Sequence, residues 1–255
     1  MYGIITDMEG VVRDSKNAFH HAYEYSLASV CKLKLDTNPE KTWKLRGFRE
    51  FNSQMTFLKV IYAIAKSNEG FSKIFWKKYP IDYIKKLVKE NPISKDALDM
   101  MEGRYLEYLI APHILRRIPP IRAGKRGVRI LKEQGFKVGA LTNSSDIYNN
   151  RWIKRRKMEN YFDGVFGAEE AGVQKPEPDG LIKACEKIKT KLDKTFYVGD
   201  TEVDVITAKK AGCIPIAVLS GATERKTLRD LGATHIFKSL TEFAFWIRDN
   251  KTDFK

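Results

Sequence analysis

Short apolar segments rich in β-branched and aromatic residues recur along the chain, and most are followed by a segment with helical periodicity. The apolar residues in each short segment are nearly continuous, which is typical of strands that helices cover on both faces. The predicted strands are Tyr2–Thr6, Phe136–Thr142, Gly164–Gly167, Thr195–Val198, Ile214–Leu219 and Thr234–Phe237. The helical segments between them include Gly124–Gln134, Ile147–Met158, Pro178–Ile188 and Asp204–Ala211. This alternation predicts an α/β fold with a doubly wound parallel sheet.

The first predicted strand is separated from the other five by a long stretch without a convincing strand. Apolar residues in this stretch recur at helical spacing in three segments, which predicts helices with one buried face each. These faces are Phe19, Ala22, Tyr23, Leu27 and Val30, then Phe57, Val60, Ile61 and Ile64, then Ile81, Ile84, Leu87 and Val88. We therefore predict a Rossmann-like core formed by residues 1–15 and 114–255, with an inserted all-helical cap at residues 16–113.

The composition agrees with a globular protein of this size. The chain has 255 residues, of which 43% are hydrophobic and 31% are charged. Its three cysteines, Cys31, Cys185 and Cys213, are too far apart to suggest a disulfide framework or a zinc site. No apolar run approaches the roughly 18–20 residues that cross a bilayer. We expect a soluble, cytoplasmic protein that has no membrane partner.

The chain carries a formal net charge of +14, which raises the question of a nucleic-acid partner. The basic residues are spread over the whole chain, as in a solvated surface. The densest groups are Arg122, Lys125, Arg126 and Arg129, and then Arg151, Lys154, Arg155, Arg156 and Lys157. Because no zinc finger or RNP-like aromatic motif accompanies them, the sequence favours a structural origin of the charge over a nucleic-acid site.

Polar residues follow several of the predicted strands, at the edge where open α/β sheets bind their ligands. They are Asp7 and Glu9 after the first strand, Thr142, Asn143, Ser144 and Ser145 after the second, Lys175 between two later elements, and Asp200 and Asp204 after the fourth. Each group alone could be a turn or a helix cap. Together, converging carboxylates, a lysine and an anion-binding hydroxyl are typical of a phosphoryl-transfer site with a hard metal ion.

In their order and context, these elements resemble the motifs of the haloacid dehalogenase superfamily. The similarity is to its phosphatase-like members with a helical, C1-type cap, such as phosphoglycolate phosphatase-like proteins. It covers most of the predicted core, whereas the insert resembles the family's cap only in position and helical character.

The resemblance implies a role for each matching residue. Asp7 would attack phosphorus and form an aspartyl-phosphate. Glu9 would protonate the leaving oxygen and later take a proton from water. The Thr142 hydroxyl and the Asn143 backbone would hold the phosphoryl oxygens, and Lys175 would offset their negative charge.

The resemblance also implies a Mg²⁺ site at the same edge of the sheet. The ion would be bound by the Asp7 carboxylate, the backbone carbonyl of Glu9 and Asp200, with Asp204 near the ion or its waters. One residue departs from the family pattern, because Glu9 stands where Asp is usual. The enolase-phosphatase branch also has Glu there, so hydrolysis remains chemically reasonable. The acidic residues Glu9 and Asp200 disfavour the metal-free dehalogenase branch.

Within the predicted cap, the segment from Trp43 to Arg49 is the best candidate for a substrate loop. It places Lys44, Arg46 and Arg49 around Gly47, where they could bind a second anionic group of the substrate. A basic surface turn explains the same residues equally well.

We therefore expect a Mg²⁺-dependent phosphatase that acts on a small phosphorylated metabolite, as a monomer or a homodimer. Two alternatives stay open at this point. One is a phosphomutase with the same site, and the other is a catalytically weak protein that binds anions or nucleic acid on this fold. An acid/base carboxylate beside an intact nucleophile argues against the second alternative.

Overall fold

The chain folds into two compact units, which correspond closely to the two predicted parts of the sequence. The computed structural model describes residues 2–67, 73–74 and 80–250. One compact unit comprises Met1–Ser15 and Ile118–Lys255, and the other comprises Lys16–Arg117. The second unit thus extends to Arg117, beyond the predicted end at residue 113. The roles of core and cap for the two units stay a prediction.

The first unit is built on a sheet of six parallel strands in the order β3-β2-β1-β4-β5-β6. The strands are β1 Gly3–Thr6, β2 Lys137–Leu141, β3 Gly164–Phe166, β4 Thr195–Gly199, β5 Ile214–Val218 and β6 His235–Phe237. The predicted α/β fold with a doubly wound parallel sheet is confirmed. Because β1 pairs with both β2 and β4, the strand order reverses direction at β1, which is where such sheets bind ligands.

The second unit is helical throughout its described residues. Its helices are α1 Lys16–Cys31, α2 Pro39–Arg46, α3 Gln54–Lys66, α4 Pro80–Glu90, α5 Lys95–Ile110 and α6 Pro112–Arg117, with a 3₁₀ turn at Arg49–Phe51. Side-chain caps define several starts: Asn38 accepts from the Lys41 amide at 3.0 Å, and Ser94 accepts from the Ala97 amide at 3.2 Å. The apolar face of α3 is fully buried, as its periodicity predicts.

Helices cover both faces of the sheet in the first unit. They are α7 Arg122–Glu133, α8 Asp146–Arg156, α9 Ala168–Ala171, α10 Asp179–Ile188, α11 Glu202–Ala211, α12 Arg225–Asp230 and α13 Leu240–Asp249, with 3₁₀ turns at Glu159–Tyr161 and Leu192–Lys194. On β4, Phe196 packs on Phe243 with ring centroids 5.6 Å apart. The next residue, Tyr197, belongs to an apolar cluster that includes residues of α10 and α11. Among the described residues, no helix is both long and apolar enough to cross a membrane.

Helix α7 lies unusually close to the loop that follows β1. A Cβ added at Gly124 would lie 2.1 Å from the Val11 carbonyl oxygen and 2.8 Å from the Val12 Cα. The Ile121 amide also donates to the Val12 carbonyl at 2.8 Å. Glycine at position 124 therefore permits the close packing that fixes this loop, from which the first candidate site residues project.

We predict that Gly124→Ala destabilises the protein by about 1–3 kcal/mol, because the methyl group must displace backbone atoms. The matched control is Gly103→Ala in α5, where an added Cβ meets no atom within 4 Å. The control should stabilise its helix by up to about 1 kcal/mol, since alanine has the higher helix propensity. Thermal unfolding followed by circular dichroism measures both. If Gly124→Ala has the same melting temperature as the wild type, the close packing described for α7 is contradicted.

Candidate active site

Asp7 lies directly after β1, at the point where the strand order reverses. Its amide donates to the Val198 carbonyl at 2.8 Å, which continues the ladder between β1 and β4. Its carboxylate is buried, and Oδ1 lies 3.0 Å from the Lys175 Nζ. Burial, followed by the charges of Asp204 and Glu9, raises the pKa of Asp7 to about 7, although Lys175 opposes the shift. The site thus holds a carboxylate whose charge lacks sufficient compensation.

Asp200 follows β4 and lies against backbone on two sides. A Cβ at Gly10 would lie 2.6 Å from Asp200 Oδ2, and one at Gly221 would lie 1.7 Å from the same atom. Gly10 also has a φ of +73°, which favours glycine. The Ala222 amide donates to Oδ2 at 2.9 Å, whereas Oδ1 is buried without a hydrogen-bond partner. Burial, then Asp204 and Asp7, raises the pKa of Asp200 well above its usual range.

Lys175 is the cation at the centre of this group. Burial would lower its pKa, but Asp204 and Asp7 outweigh that effect and raise it. Its Nζ lies 2.6 Å from Asp204 Oδ1. Asn143 holds both backbone groups of Lys175: its Oδ1 accepts from the Lys175 amide at 2.8 Å, and its Nδ2 donates to the Lys175 carbonyl at 3.1 Å. The predicted residues Asn143 and Lys175 are thus brought together, with Asn143 positioning the lysine.

Asp204 has more hydrogen-bond partners than Asp7 or Asp200. Besides Lys175, the Tyr197 hydroxyl donates to Oδ1 at 3.0 Å. The Thr201 amide and hydroxyl donate to Oδ2 at 3.0 and 2.6 Å, and the bond from the amide is half of the capping box at the start of α11. Burial would raise the pKa of Asp204, but the charge and hydrogen bond of Lys175, followed by the hydrogen bonds from Thr201, outweigh it and lower the pKa. Asp204 therefore anchors Lys175 as an ionised group, and its predicted place near a metal ion stays a prediction.

Three carboxylates of the site could share a metal ion. One oxygen of each of Asp7, Asp200 and Asp204 lies within 4.8 Å of the others, and all three residues are buried. The Oδ1 atom of Asp200 has no hydrogen-bond partner, and that of Asp7 contacts only the Lys175 ammonium among the described residues. Orphaned buried carboxylate oxygens are what a hard divalent cation requires as ligands. The residues present therefore fit such an ion.

The Glu9 side chain has a separate set of hydrogen-bond partners. Its Oε1 accepts from the Arg13 guanidinium, with Arg13 Nε at 2.9 Å, and from the Ser144 hydroxyl at 2.9 Å. Its Oε2 accepts from the Thr142 hydroxyl at 2.6 Å. Burial would raise the pKa of Glu9, but Arg13 and these hydrogen bonds outweigh it and lower the pKa. Glu9 is therefore ionised, and it is placed to accept a proton.

Thr142 lies beside Glu9 in the structure. Its hydroxyl donates to Glu9 and accepts from the Ser144 amide at 3.1 Å. The hydroxyls of Thr142 and Ser144 thus both donate to the Glu9 carboxylate. A contact between Thr142 or the Asn143 backbone and a phosphoryl group stays a prediction.

Arg13 is the residue that the sequence analysis missed. Its side chain is fully buried, with the guanidinium carbon 4.1 Å from the Tyr148 ring centroid and 5.5 Å from that of Trp152. Its Nη2 also donates to Asn149 Oδ1 at 2.5 Å. The available signal was a basic residue four positions after Glu9, directly after Val11 and Val12. Arg13 compensates the charge of Glu9 and fixes its orientation.

The balance of charge in the pocket is negative. Four buried carboxylates, Asp7, Glu9, Asp200 and Asp204, face two buried cations, Lys175 and Arg13. With every group ionised the net charge is −2, which a divalent cation would neutralise. Uncompensated buried charge is costly, and the raised pKa values of Asp7 and Asp200 express that cost.

The prediction of a substrate loop from Trp43 to Arg49 is wrong for its first half, because residues 43–46 form the end of helix α2. Arg46 is buried, and its guanidinium donates to the Tyr23 hydroxyl at 2.5 Å and lies over the Phe19 and Phe57 rings. Arg46 therefore packs the interior of the second unit. Lys44 and Arg49 are exposed, and their role as substrate contacts stays a prediction.

Comparison with known families agrees with the motifs. The family described as haloacid dehalogenase-like hydrolase matches residues 4–218. The matched span includes every site residue described above, from Asp7 to Asp204.

Individual relatives match shorter stretches. A phosphoglycolate phosphatase from Neisseria meningitidis is 28% identical over 130 residues, which are 51% of this chain and 55% of that protein. A pyrophosphatase PpaX from Bacillus mycoides is 33% identical over 91 residues, 36% of this chain and 42% of that protein. The chain thus spans about half the length of these curated relatives. A solved structure of a hydrolase from Pseudomonas syringae has a TM-score of 0.70 at 15% identity, covering 97% of this chain and 98% of that one, which shows a shared fold.

We predict that Arg13→Met lowers the free energy of unfolding by about 3–5 kcal/mol, because Glu9 becomes an unpaired buried charge. The double variant Glu9→Gln/Arg13→Met removes both charges and should recover part of the loss. Urea unfolding measures both. If the double variant is no more stable than Arg13→Met, Arg13 stabilises the protein by packing alone.

The raised pKa of Asp200 predicts how the stability of the metal-free protein, kept in EDTA, depends on pH. A folded pKa above the unfolded value means that folding takes up a proton, so this stabilisation is lost as the pH rises through the folded pKa. Asp200→Asn removes one such group. Its melting temperature should therefore exceed that of the wild type by more at about pH 8 than at about pH 5.

The same melting experiment tests the metal site. Adding Mg²⁺ should stabilise the wild type and leave Asp200→Asn almost unchanged. Asp193→Asn, which changes an exposed aspartate of the same unit, is the matched control and should behave as the wild type. Equal stabilisation of all three proteins by Mg²⁺ would show that the ion binds elsewhere.

Proposed function

The chain belongs to the haloacid dehalogenase-like hydrolases, and we propose that it is a Mg²⁺-dependent phosphatase that hydrolyses a small phosphomonoester through an aspartyl-phosphate on Asp7. The observation that carries the proposal is the position of the Asp7 carboxylate, buried beside Lys175 and next to the unpartnered Asp200 Oδ1. A nucleophilic carboxylate, a fixed cation and an incomplete oxygen ligand set together support phosphoryl transfer.

In the first half-reaction, an Asp7 carboxylate oxygen attacks phosphorus and the bond from phosphorus to the ester oxygen breaks. The Lys175 ammonium, held by Asp204, compensates the negative charge of the transferring group. Because Glu9 is ionised in the ligand-free site, it first takes up a proton from solvent as the substrate binds, and it then gives this proton to the leaving oxygen. Thr142 and Ser144 lie against Glu9 and are placed to keep its carboxyl group oriented.

In the second half-reaction, water attacks phosphorus and Glu9 accepts its proton. The bond from phosphorus to the Asp7 oxygen breaks, which releases inorganic phosphate and restores the carboxylate. This step requires an ionised Glu9, and Arg13, Thr142 and Ser144 favour that state because they lower the pKa of Glu9. Arg13 acts here as a positioning residue.

Asp7 and Asp200 would hold the metal ion, with the Glu9 backbone carbonyl as a further ligand and Asp204 beside the ion or its waters. When bound, Mg²⁺ supplies positive charge that neutralises the carboxylates and polarises a phosphoryl oxygen. The protein's own part is to keep these oxygens in place, through Gly10, Gly221 and the Ala222 amide around Asp200.

The proposal extends to the substrate and the setting. The substrate would be a small phosphorylated metabolite, with Lys44 and Arg49 as candidate contacts to a second anionic group. The protein would act as a monomer or homodimer in the cytoplasm. The phosphatase and pyrophosphatase names of the relatives support hydrolysis of phosphate compounds as the reaction class.

We predict that the purified protein releases phosphate from one or more members of a panel of two- and three-carbon phosphates, sugar phosphates and nucleotides. Release should require Mg²⁺ and stop in EDTA. Asp7→Asn should lower the rate by roughly 10⁴-fold or more, because the nucleophile is lost.

Asp193→Asn is the matched control, since it removes an exposed carboxylate with the same substitution, and it should retain the wild-type rate. Phosphate release by Asp7→Asn at the wild-type rate would refute the proposed nucleophile. Movement of phosphate between two positions of a sugar phosphate, without release, would instead establish a phosphomutase.

A further inference from the structure

Helix α7 presents four cations on one face. Arg122, Lys125, Arg126 and Arg129 are spaced i, i+3, i+4 and i+7, so they form a single stripe about 10 Å long. The opposite face of the helix is buried through Gly124, Gly127, Val128 and Leu131. The stripe is therefore carried on an element that is fixed against the sheet.

A cavity of about 480 Å³ opens along this stripe. It is lined by the four cations together with Pro120 and Tyr161, so the lining contains no carboxylate. The Lys125 Nζ lies 5.8 Å from the Tyr161 ring centroid. The volume lies in the range of small-molecule sites, roughly 300–1,000 Å³. The cavity thus combines a flat aromatic and proline wall with a row of positive charge.

Most of these cations lack an acidic partner. Among the described residues, no carboxylate oxygen lies within 4.0 Å of a side-chain nitrogen of Arg122, Lys125 or Arg126, and Arg129 pairs with Glu133 at 3.5 Å on the exposed surface. Like charges three and four residues apart on a helix repel each other by about 0.2–0.5 kcal/mol per pair. An anion in the cavity would relieve this repulsion.

One of the guanidinium groups is also preoriented. Arg126 lies over the Phe245 ring of α13, with its guanidinium carbon 5.2 Å from the ring centroid. Stacking restricts the side chain while leaving its N–H groups available for a second partner. Arginine forks bind phosphate groups through paired hydrogen bonds, and they lose less freedom when they are already restrained.

We propose that this cavity is a binding site for a nucleotide, separate from the carboxylate pocket. The phosphate groups would lie along Arg122, Arg126 and Arg129, and the base would lie against the Tyr161 ring and Pro120. A planar ring joined to a short chain of phosphates matches both halves of the lining. Inorganic triphosphate would use only the cations, and adenosine would use only the aromatic wall.

The proposal is tested by isothermal titration calorimetry of the full chain with ATP, inorganic triphosphate and adenosine. EDTA is present throughout, so that the uncompensated carboxylates of the other pocket repel the probes. ATP should bind more tightly than either fragment. Arg122→Ala/Arg126→Ala should weaken ATP binding about tenfold or more.

The matched control is Arg225→Ala/Arg229→Ala, which removes the same charge from exposed positions of α12. It should leave ATP affinity within about twofold of the wild type, which corresponds to about 0.4 kcal/mol. Tyr161→Leu should weaken ATP binding and leave triphosphate binding unchanged. Thermal melts establish that each variant is folded.

Three results would overturn the proposal. The first is ATP binding that is equal in the wild type and Arg122→Ala/Arg126→Ala. The second is triphosphate that binds as tightly as ATP in both the wild type and Tyr161→Leu, which would indicate a site for phosphate chains alone. The third is a single-stranded oligonucleotide that binds far more tightly than ATP, with a steep dependence on salt, which would indicate an extended nucleic-acid surface.

Discussion

The constraint on which the rest of the structure depends is the excess of buried carboxylates at the carboxyl edge of the sheet. Asp7, Asp200 and Asp204 come together because β1 and β4 are neighbours, and Lys175 alone cannot neutralise them. The surroundings are arranged to tolerate this charge. Gly10 and Gly221 leave space for Asp200, and Asn143 fixes the backbone of Lys175. The pocket consequently fits a bound cation.

The second acidic group is organised by a different principle. Glu9 forms its own buried ion pair with Arg13, and the aromatic rings of Tyr148 and Trp152 lie against the guanidinium. The pair is neutral, so Glu9 does not add to the charge that the metal ion must balance. It also gives the longer Glu side chain a fixed position, where the family usually has Asp. Glu9 nevertheless contributes to the raised pKa of Asp7, which is only two residues away.

Much of this could be predicted from the sequence, because the strands are continuous apolar runs and the site residues follow them directly. The convergence of Asp7 and Asp200 follows from strand order, whereas Lys175 lies between two helices and was identifiable from the surrounding motif. The Arg13 pairing was not, since it depends on which side chains of α8 pack over the loop after β1. Arg46 was misassigned for a similar reason: a basic residue beside Gly47 resembles a surface turn until Tyr23, Phe19 and Phe57 are seen around it.

The central claim is that Asp7 carries the phosphoryl group during turnover. Its most direct test is to mix enzyme and substrate with Mg²⁺, quench in acid within a single turnover, and map the modified peptide by mass spectrometry. The structure predicts one phosphoryl group on the peptide that contains Asp7, and none in the Asp7→Asn protein. Phosphate release without any such adduct, or an adduct on another residue, would contradict the account.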